Sequence, residues 1–332
     1  MVERRPGVIP PKPGPPPGPP PSDRQLHRRR LFALVVLVLV LGGLGWATVA
    51  AIGGGSSKRT ASSTAGSGPV IYTTETITTN GKTTQTVVAV PKPFRIVFPE
   101  GFTIKQMAAR VTAVKKIAEG ERNVRPLISS HGYLAAVRVA GVPDCLGRAR
   151  ARSMEGFLFP ATYDFVASTT DMQLVDDQLS AFCENWSQVD LRYAKSKHLT
   201  PYDVLIIASM VEKETLSPDE RPLVAAVIYN RLHDRMPLGI DSTLRYGLDI
   251  PPTQSILESQ LHSSSPYNTR NHLGLPPTPI ANPGLASMQA AAHPARVDYL
   301  YFVRKPDKKH HFFTASYRAF TNYERAHGYG VH

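Results

Sequence analysis

The chain has 332 residues, 42% hydrophobic and 19% charged, enough apolar content for one large domain or two modest ones and too much for a wholly disordered chain. Its formal net charge is +12, yet several of those charges flank one apolar run, and no dense Lys/Arg tract with interleaved aromatics follows, so nucleic acid is not an expected partner. Only Cys145 and Cys183 are present, at no ligand spacing; in an oxidising exterior they could form one disulfide, and the sequence leaves their pairing open.

The N-terminal stretch from Pro6 to Pro21 is dominated by proline and cannot bury a core, which predicts an extended, polyproline-like tail over residues 1–30. Leu31 to Ile52 follows as an uncharged apolar run, long enough to cross ~30 Å of hydrocarbon as a helix. Arg24, Arg28, Arg29 and Arg30 outweigh Lys58 and Arg59 on the far side, so the positive-inside bias predicts a single-pass anchor with a cytoplasmic N-terminus. Residues 53–68, rich in Gly, Ser and Thr, read as a flexible linker.

Beyond the linker, two Val/Thr-rich runs flank Asn80-Gly81 and predict a hairpin over residues 70–90. FRIVFP predicts a strand, and TIKQMAARVTAVKKIAEG a helix capped by Thr103; together they form a small α+β lobe over residues 69–145. The second part, residues 146–332, begins with the aromatic-rich SMEGFLFPATYDF, a loop or strand, followed by a helical stretch from Asp171 to Lys197. DVLIIASMVEKET is preceded by Thr200 as cap, Pro201 at the first helical position and Asp203 as capping-box acid, and Ser217-Pro218-Asp219-Glu220 signals the next helix start at once. Asn282-Pro283 is expected to cap a short Ala-rich helix, DYLYFVRK and HHFFT to form a hairpin, and SYRAFTNYERAHG to close as a helix.

Glu212 and Glu214 end an otherwise apolar helix. Residues two apart on a helix are separated by about 200°, so the two carboxylates cannot face one cleft and do not form an acid and nucleophile pair. From pattern alone, Glu and Lys at a helix end read first as a solvated terminus; against that, acids are electrostatically misplaced at a helix C-terminus, where the dipole and partial burial both raise a carboxyl pKa, as a general acid working near neutral pH requires. The loops are rich in Tyr, Asn, Asp and Thr, which suits sugars better than phosphate. No Walker loop, GxGxxG, HExxH or GxSxG occurs. His310 and His311 are adjacent on a predicted strand and point to opposite faces, so neither a metal nor a cofactor is expected.

EGFLFPATY (Glu155 to Tyr163), ASMVEKET (Ala208 to Thr215), VIYNRL with MPLGIDSTLRYGL (Val227 to Leu248), SPYNTR (Ser265 to Arg270), GLPPTPIANPG (Gly274 to Gly284) and AAAHPARVDYLYFV (Ala290 to Val303) resemble, in order, the YceG-like (MltG) family of endolytic murein transglycosylases. The resemblance implies an α+β fold, with a membrane anchor, a small LysM-like lobe and a mixed α+β YceG-like catalytic domain. It implies a lyase that cuts the MurNAc-β-1,4-GlcNAc bond of peptidoglycan and leaves 1,6-anhydroMurNAc ends. It also implies an extracytoplasmic site on the bacterial plasma membrane, and peptidoglycan synthases or division and elongation proteins as partners. Glu214 is the implied catalytic residue; Glu212, Asn230, Asp241, Thr243, Tyr267, Asn268 and Thr269 would line or brace the glycan groove. Gly239 stands where a Gln is common, Ser242 where Pro is common, and His310 fits a G-x-H-x-F pattern. The usual first LysM-like half is not recognisable. A membrane-anchored wall-binding scaffold without catalysis is the alternative.

Overall fold

The computed structural model describes residues 70–79, 82–147 and 151–329, all within one compact unit, Ala65–His332. The proline-rich tail, the apolar run of residues 31–52, the linker and the Asn80-Gly81 turn lie outside the described residues. Among the described residues no helix is long and apolar enough to cross a membrane.

Strands β1 (Val70–Thr79) and β2 (Lys82–Pro91) pair antiparallel, Thr79 opposite Lys82, in the register that a two-residue connection gives. Strand β3 (Phe94–Val97) leads through the Pro99-Glu100-Gly101 turn into α1 (Ile104–Arg122). Thr103 caps α1 as expected, in a reciprocal capping box with Gln106. Helix α2 (Ser130–Val139), absent from the elements expected from sequence, is capped by Ser129. After a 3-10 turn at Asp144–Leu146 and the EGFLFP loop comes β4 (Thr162–Phe165), antiparallel to β3 with Phe94 opposite Phe165. The sheet of the first lobe thus includes a strand from beyond residue 145.

The stretch expected to be one helix to Lys197 is two: α3 (Asp171–Trp186) and the short α4 (Arg192–Ser196). Leu174 and Val175 of α3 join β3, β4, α1 and α2 in one apolar cluster, while Phe182 and Trp186 join a second, so α3 runs through both cores. Cys145 and Cys183 are disulfide-bonded, tying the 3-10 turn to α3.

The second core surrounds α5 (Pro201–Glu214), whose residues Val204 to Val211 are all buried. A helix that is apolar on every side must be enclosed by others. Its one buried hydroxyl in that run is satisfied: Ser209 Oγ donates to Ile206 O (2.7 Å) and accepts from Ile280 N (3.0 Å). Thr200, Pro201 and Asp203 start α5 as the sequence predicts. The next start is less regular, a 3-10 turn at Pro218–Glu220 with no side-chain cap before α6 (Arg221–His233).

Then come α7 (Asp241–Gly247), α8 (Glu258–Leu261) and α9 (Leu285–Ala292). Tyr229 of α6 donates to Ala291 O of α9 (2.8 Å). The cap of α9 is Gly284, not Asn282: Asn282 is fully buried and its side chain is committed elsewhere. Strands β5 (Tyr301–Arg304) and β6 (His311–Thr314) form the expected hairpin, and α10 (Tyr317–Ala326) closes the chain, capped by Ser316.

Candidate functional site

Glu214 is the last residue of α5, followed at once by its C-cap Thr215, whose hydroxyl donates to Val211 O (2.7 Å). A rigid, enclosed helix therefore carries the carboxyl to its end. The residue is half-buried, and desolvation of the carboxyl raises its pKa above the ordinary range. Asp241 adds to the rise by like-charge repulsion. Opposing it are the hydroxyl and backbone N–H of Ser242 and the charge of Arg304. The Ser242 hydroxyl, although close, makes no hydrogen bond of ordinary geometry and is buried without a partner.

Glu212 turns the other way, as the helical spacing requires. Its carboxylate accepts from Gly284 N (3.0 Å) and lies 3.9 Å from the Arg221 guanidinium, with the side chain only 7% exposed. Grouped by resemblance with the groove residues, Glu212 acts here as a brace between α5 and the start of α9. Arg221 also faces Glu100 (3.8 Å), whose pKa is raised by burial and by the neighbouring Glu212. Gly284 permits this approach, because a Cβ there would lie 1.8 Å from Glu100 Oε1.

The remaining expected groove residues fall into three groups. Asp241, Thr243 and Thr269 gather beside Ser242: Thr243 Oγ1 donates to Ile240 O (2.7 Å) and lies 3.0 Å from Thr269 Oγ1, which accepts from Ile240 N (3.0 Å). Asp241 is exposed and pairs with Arg270. Asn230 and Asn268 are braces: Asn230 Nδ2 donates to Val297 O and Tyr299 O (both 2.9 Å), and the buried Asn268 donates to Leu261 O (2.9 Å) and Ser263 O (2.8 Å). Tyr267 bonds Thr278 through its hydroxyl (2.8 Å) and packs edge-on against Tyr246. Gly239 has a left-handed backbone (φ 59°), so a Gln in its place would be strained.

A second buried carboxyl was not singled out by sequence. Glu155 is 3% exposed and accepts from Asn282 Nδ2 (2.7 Å), Ile104 N (3.0 Å) and Tyr246 OH (3.2 Å). Burial pushes its pKa up to about 7, despite these hydrogen bonds and the charge of Lys213. Asn282 is fully engaged: Nδ2 also donates to Phe102 O (2.9 Å), and Oδ1 accepts from Gly156 N (2.9 Å) and Leu158 N (3.0 Å). Glu155 and Asn282 thus join the first turn of α1 to the second core. The only hint in sequence is a charge followed by glycine in an otherwise apolar block; Gly156 is needed because its φ is 95° and a Cβ would strike Pro279 at 2.8 Å.

His310 and His311 separate as expected. His310 is exposed on Asp307, whereas His311 is buried, its N–H donating to Glu220 Oε1 (2.8 Å) and its Nδ1 lying 2.6 Å from Glu220 Oε2. Among the described residues no group of three or more His, Cys, Asp or Glu side chains could hold a metal ion.

The YceG-like family model matches residues 59–326. A protein of Streptococcus pneumoniae named endolytic murein transglycosylase is 34% identical over 230 residues, 63% of this chain and 40% of the relative. One of Bacillus subtilis with the same name is 30% identical over 216 residues, 64% of this chain and 59% of the relative. The chain thus aligns to less than two thirds of the length of these relatives. The crystal structure of a yceG-like protein from Listeria monocytogenes is similar at 27% identity and a TM-score of 0.56, over 69% of this chain and 75% of that one. With the family model covering most of the chain and a solved relative sharing the fold, the chain belongs to the YceG-like family.

Proposed function

We propose that the chain is an endolytic peptidoglycan lytic transglycosylase, with Glu214 as its catalytic residue. The observation that carries the reading is one half-buried carboxyl of raised pKa at the end of an enclosed helix, with Glu212 turned away to Gly284 and Arg221. The names of the relatives give the substrate, murein.

One carboxyl suffices for this reaction. Protonated Glu214 gives its proton to the glycosidic oxygen as the muramyl C1–O bond breaks, and the GlcNAc 4-hydroxyl leaves. The muramyl C6 hydroxyl then closes onto C1, and the Glu214 carboxylate takes up the hydroxyl proton. Water does not enter, and a 1,6-anhydro end results. Burial and Asp241 keep the carboxyl protonated to higher pH, while Ser242 and Arg304 keep it able to release the proton. Asp241, exposed beside Ser242, can meet sugar hydroxyls, while the buried Thr243 and Thr269 brace the backbone at Ile240 behind it.

The apolar run of residues 31–52 and the arginines before it support anchoring in the plasma membrane, with the catalytic part outside. The first lobe then serves as a LysM-like wall-binding module, and strand trimming takes place beside wall synthases. The test is product analysis by mass spectrometry on purified glycan strands. Wild type should release anhydromuramyl-ended fragments, at a rate that falls as pH rises through the elevated Glu214 pKa, and Glu214→Gln should release none while keeping its circular dichroism spectrum. Reducing-end products, or normal cutting by Glu214→Gln, would overturn the assignment.

A further inference from the structure

Among the described residues, a cation without an ion-pair partner stands near this site. Arg304, the last residue of β5, is exposed and has no ion pair or side-chain hydrogen bond among the described residues. Two anchors fix its place. Directly opposite it on β6 stands His311, buried and held through two contacts by Glu220, six residues past Glu214 at the start of α6. On the approach to β5, Asn230 holds Val297 O and Tyr299 O, and Arg231 donates to Leu300 O (2.6 Å), its guanidinium lying over the Tyr301 ring. The strand is thereby fastened to both ends of α6, and its terminal guanidinium acts on Glu214 through space. Asp241, the other charge at Glu214, already has an ion-pair partner in Arg270.

A positioned guanidinium without a partner beside a sugar groove is matched by a planar anion. We propose that Arg304 is a specificity residue that binds a carboxylate carried by the muramyl unit. This rests on the murein reading above. Such a carboxylate has two sources: the lactyl side chain of a peptide-free muramyl unit, or the peptide attached to that side chain. Glycan hydroxyls alone would give Arg304 no charge to meet.

The experiment uses the full-length chain in detergent, with glycan strands of three kinds: peptide-bearing, peptide-stripped so that the lactyl carboxylate is free, and stripped with that carboxylate blocked as a methylamide. Binding is measured in the Glu214→Gln background to prevent cutting, with and without Arg304→Gln or Arg304→Lys; KM and kcat are measured with Glu214 present. Arg304 touches no partner, so its replacement should leave the fold intact. Arg304→Gln should weaken binding and raise KM about five- to tenfold on strands that carry the anion, and Arg304→Lys should recover part of the loss. Salt should weaken binding when Arg304 is present and have less effect when it is Gln. Loss on the stripped strand but not the blocked one assigns the lactyl carboxylate; loss confined to the peptide-bearing strand assigns the peptide. Equal affinity with and without Arg304 on all three strands, or the same loss on the blocked strand, would overturn the proposal, as would strands that do not bind at all. Arg304-dependent binding without anhydro-ended product would instead refute the transglycosylase reading and leave this one standing.

Discussion

Replacing Glu155 by Gln removes a charge that the fold holds at a cost. The carboxyl is 3% exposed, and its pKa rises from the usual 4.5 to about 7 on folding, chiefly through desolvation. A carboxyl whose pKa is raised in the native state binds its proton more tightly there than in the unfolded chain, so its contribution is fully present below pH 4.5 and is lost as pH rises through about 7. At about 1.4 kcal/mol for each tenfold change in proton affinity, the contribution lost is about 3 kcal/mol. Glutamine stays neutral at every pH and keeps an acceptor for Ile104 N or Asn282 Nδ2. The assay is urea unfolding of residues 65–332, followed by circular dichroism from pH 5 to pH 8, for wild type and Glu155→Gln. Other raised carboxyls, including Glu100 and Glu214, are common to both proteins, so the difference between the two isolates Glu155. Wild type should lose about 3 kcal/mol relative to the variant across this range. A constant difference would mean that Glu155 is ionised throughout and that its three donors outweigh burial.

Two further outcomes follow from the packing. Asn282→Ala strips partners from Glu155, Phe102 O, Gly156 N and Leu158 N together, and should cost about 3–5 kcal/mol in chemical unfolding, far more than the loss of a helix cap. Reduction of the Cys145–Cys183 disulfide, which closes a separation of 38 residues, should lower stability by about 4 kcal/mol on the chain-entropy argument, read as a lower urea midpoint in the presence of reductant. An unchanged midpoint would show that the 3-10 turn and α3 stay together in the unfolded chain.

The helix starts were legible because caps are local chemistry. Thr103 with Gln106, and Thr200 with Pro201 and Asp203, lie within one turn of the groups they satisfy. Where a start depended on distant partners, the sequence misled: Asn282 precedes a proline and a helix, as a cap would, yet its side chain bonds Glu155, 127 residues away. The break between α3 and α4, and the existence of α2, also escaped local pattern.

The same division runs through the candidate site. The opposed directions of Glu212 and Glu214 follow from helical geometry alone, and the motif resemblance singled out Glu214. Sequence could not tell that Asn230 and Asn268 brace loops, that Glu212 braces α9, that Glu155 is buried on Asn282 and Tyr246, that Glu220 holds His311, or that Ser242, Asp241 and Arg304 act on the Glu214 carboxyl. Those roles depend on which side chains meet across the fold. By itself, the sequence determined the enclosed helix α5 and the charge at its end, because apolar periodicity and capping act over a few residues. Only the tertiary structure decided the surroundings of that charge, because burial and long-range hydrogen bonds, which set a carboxyl's pKa, are made by segments far apart in the chain.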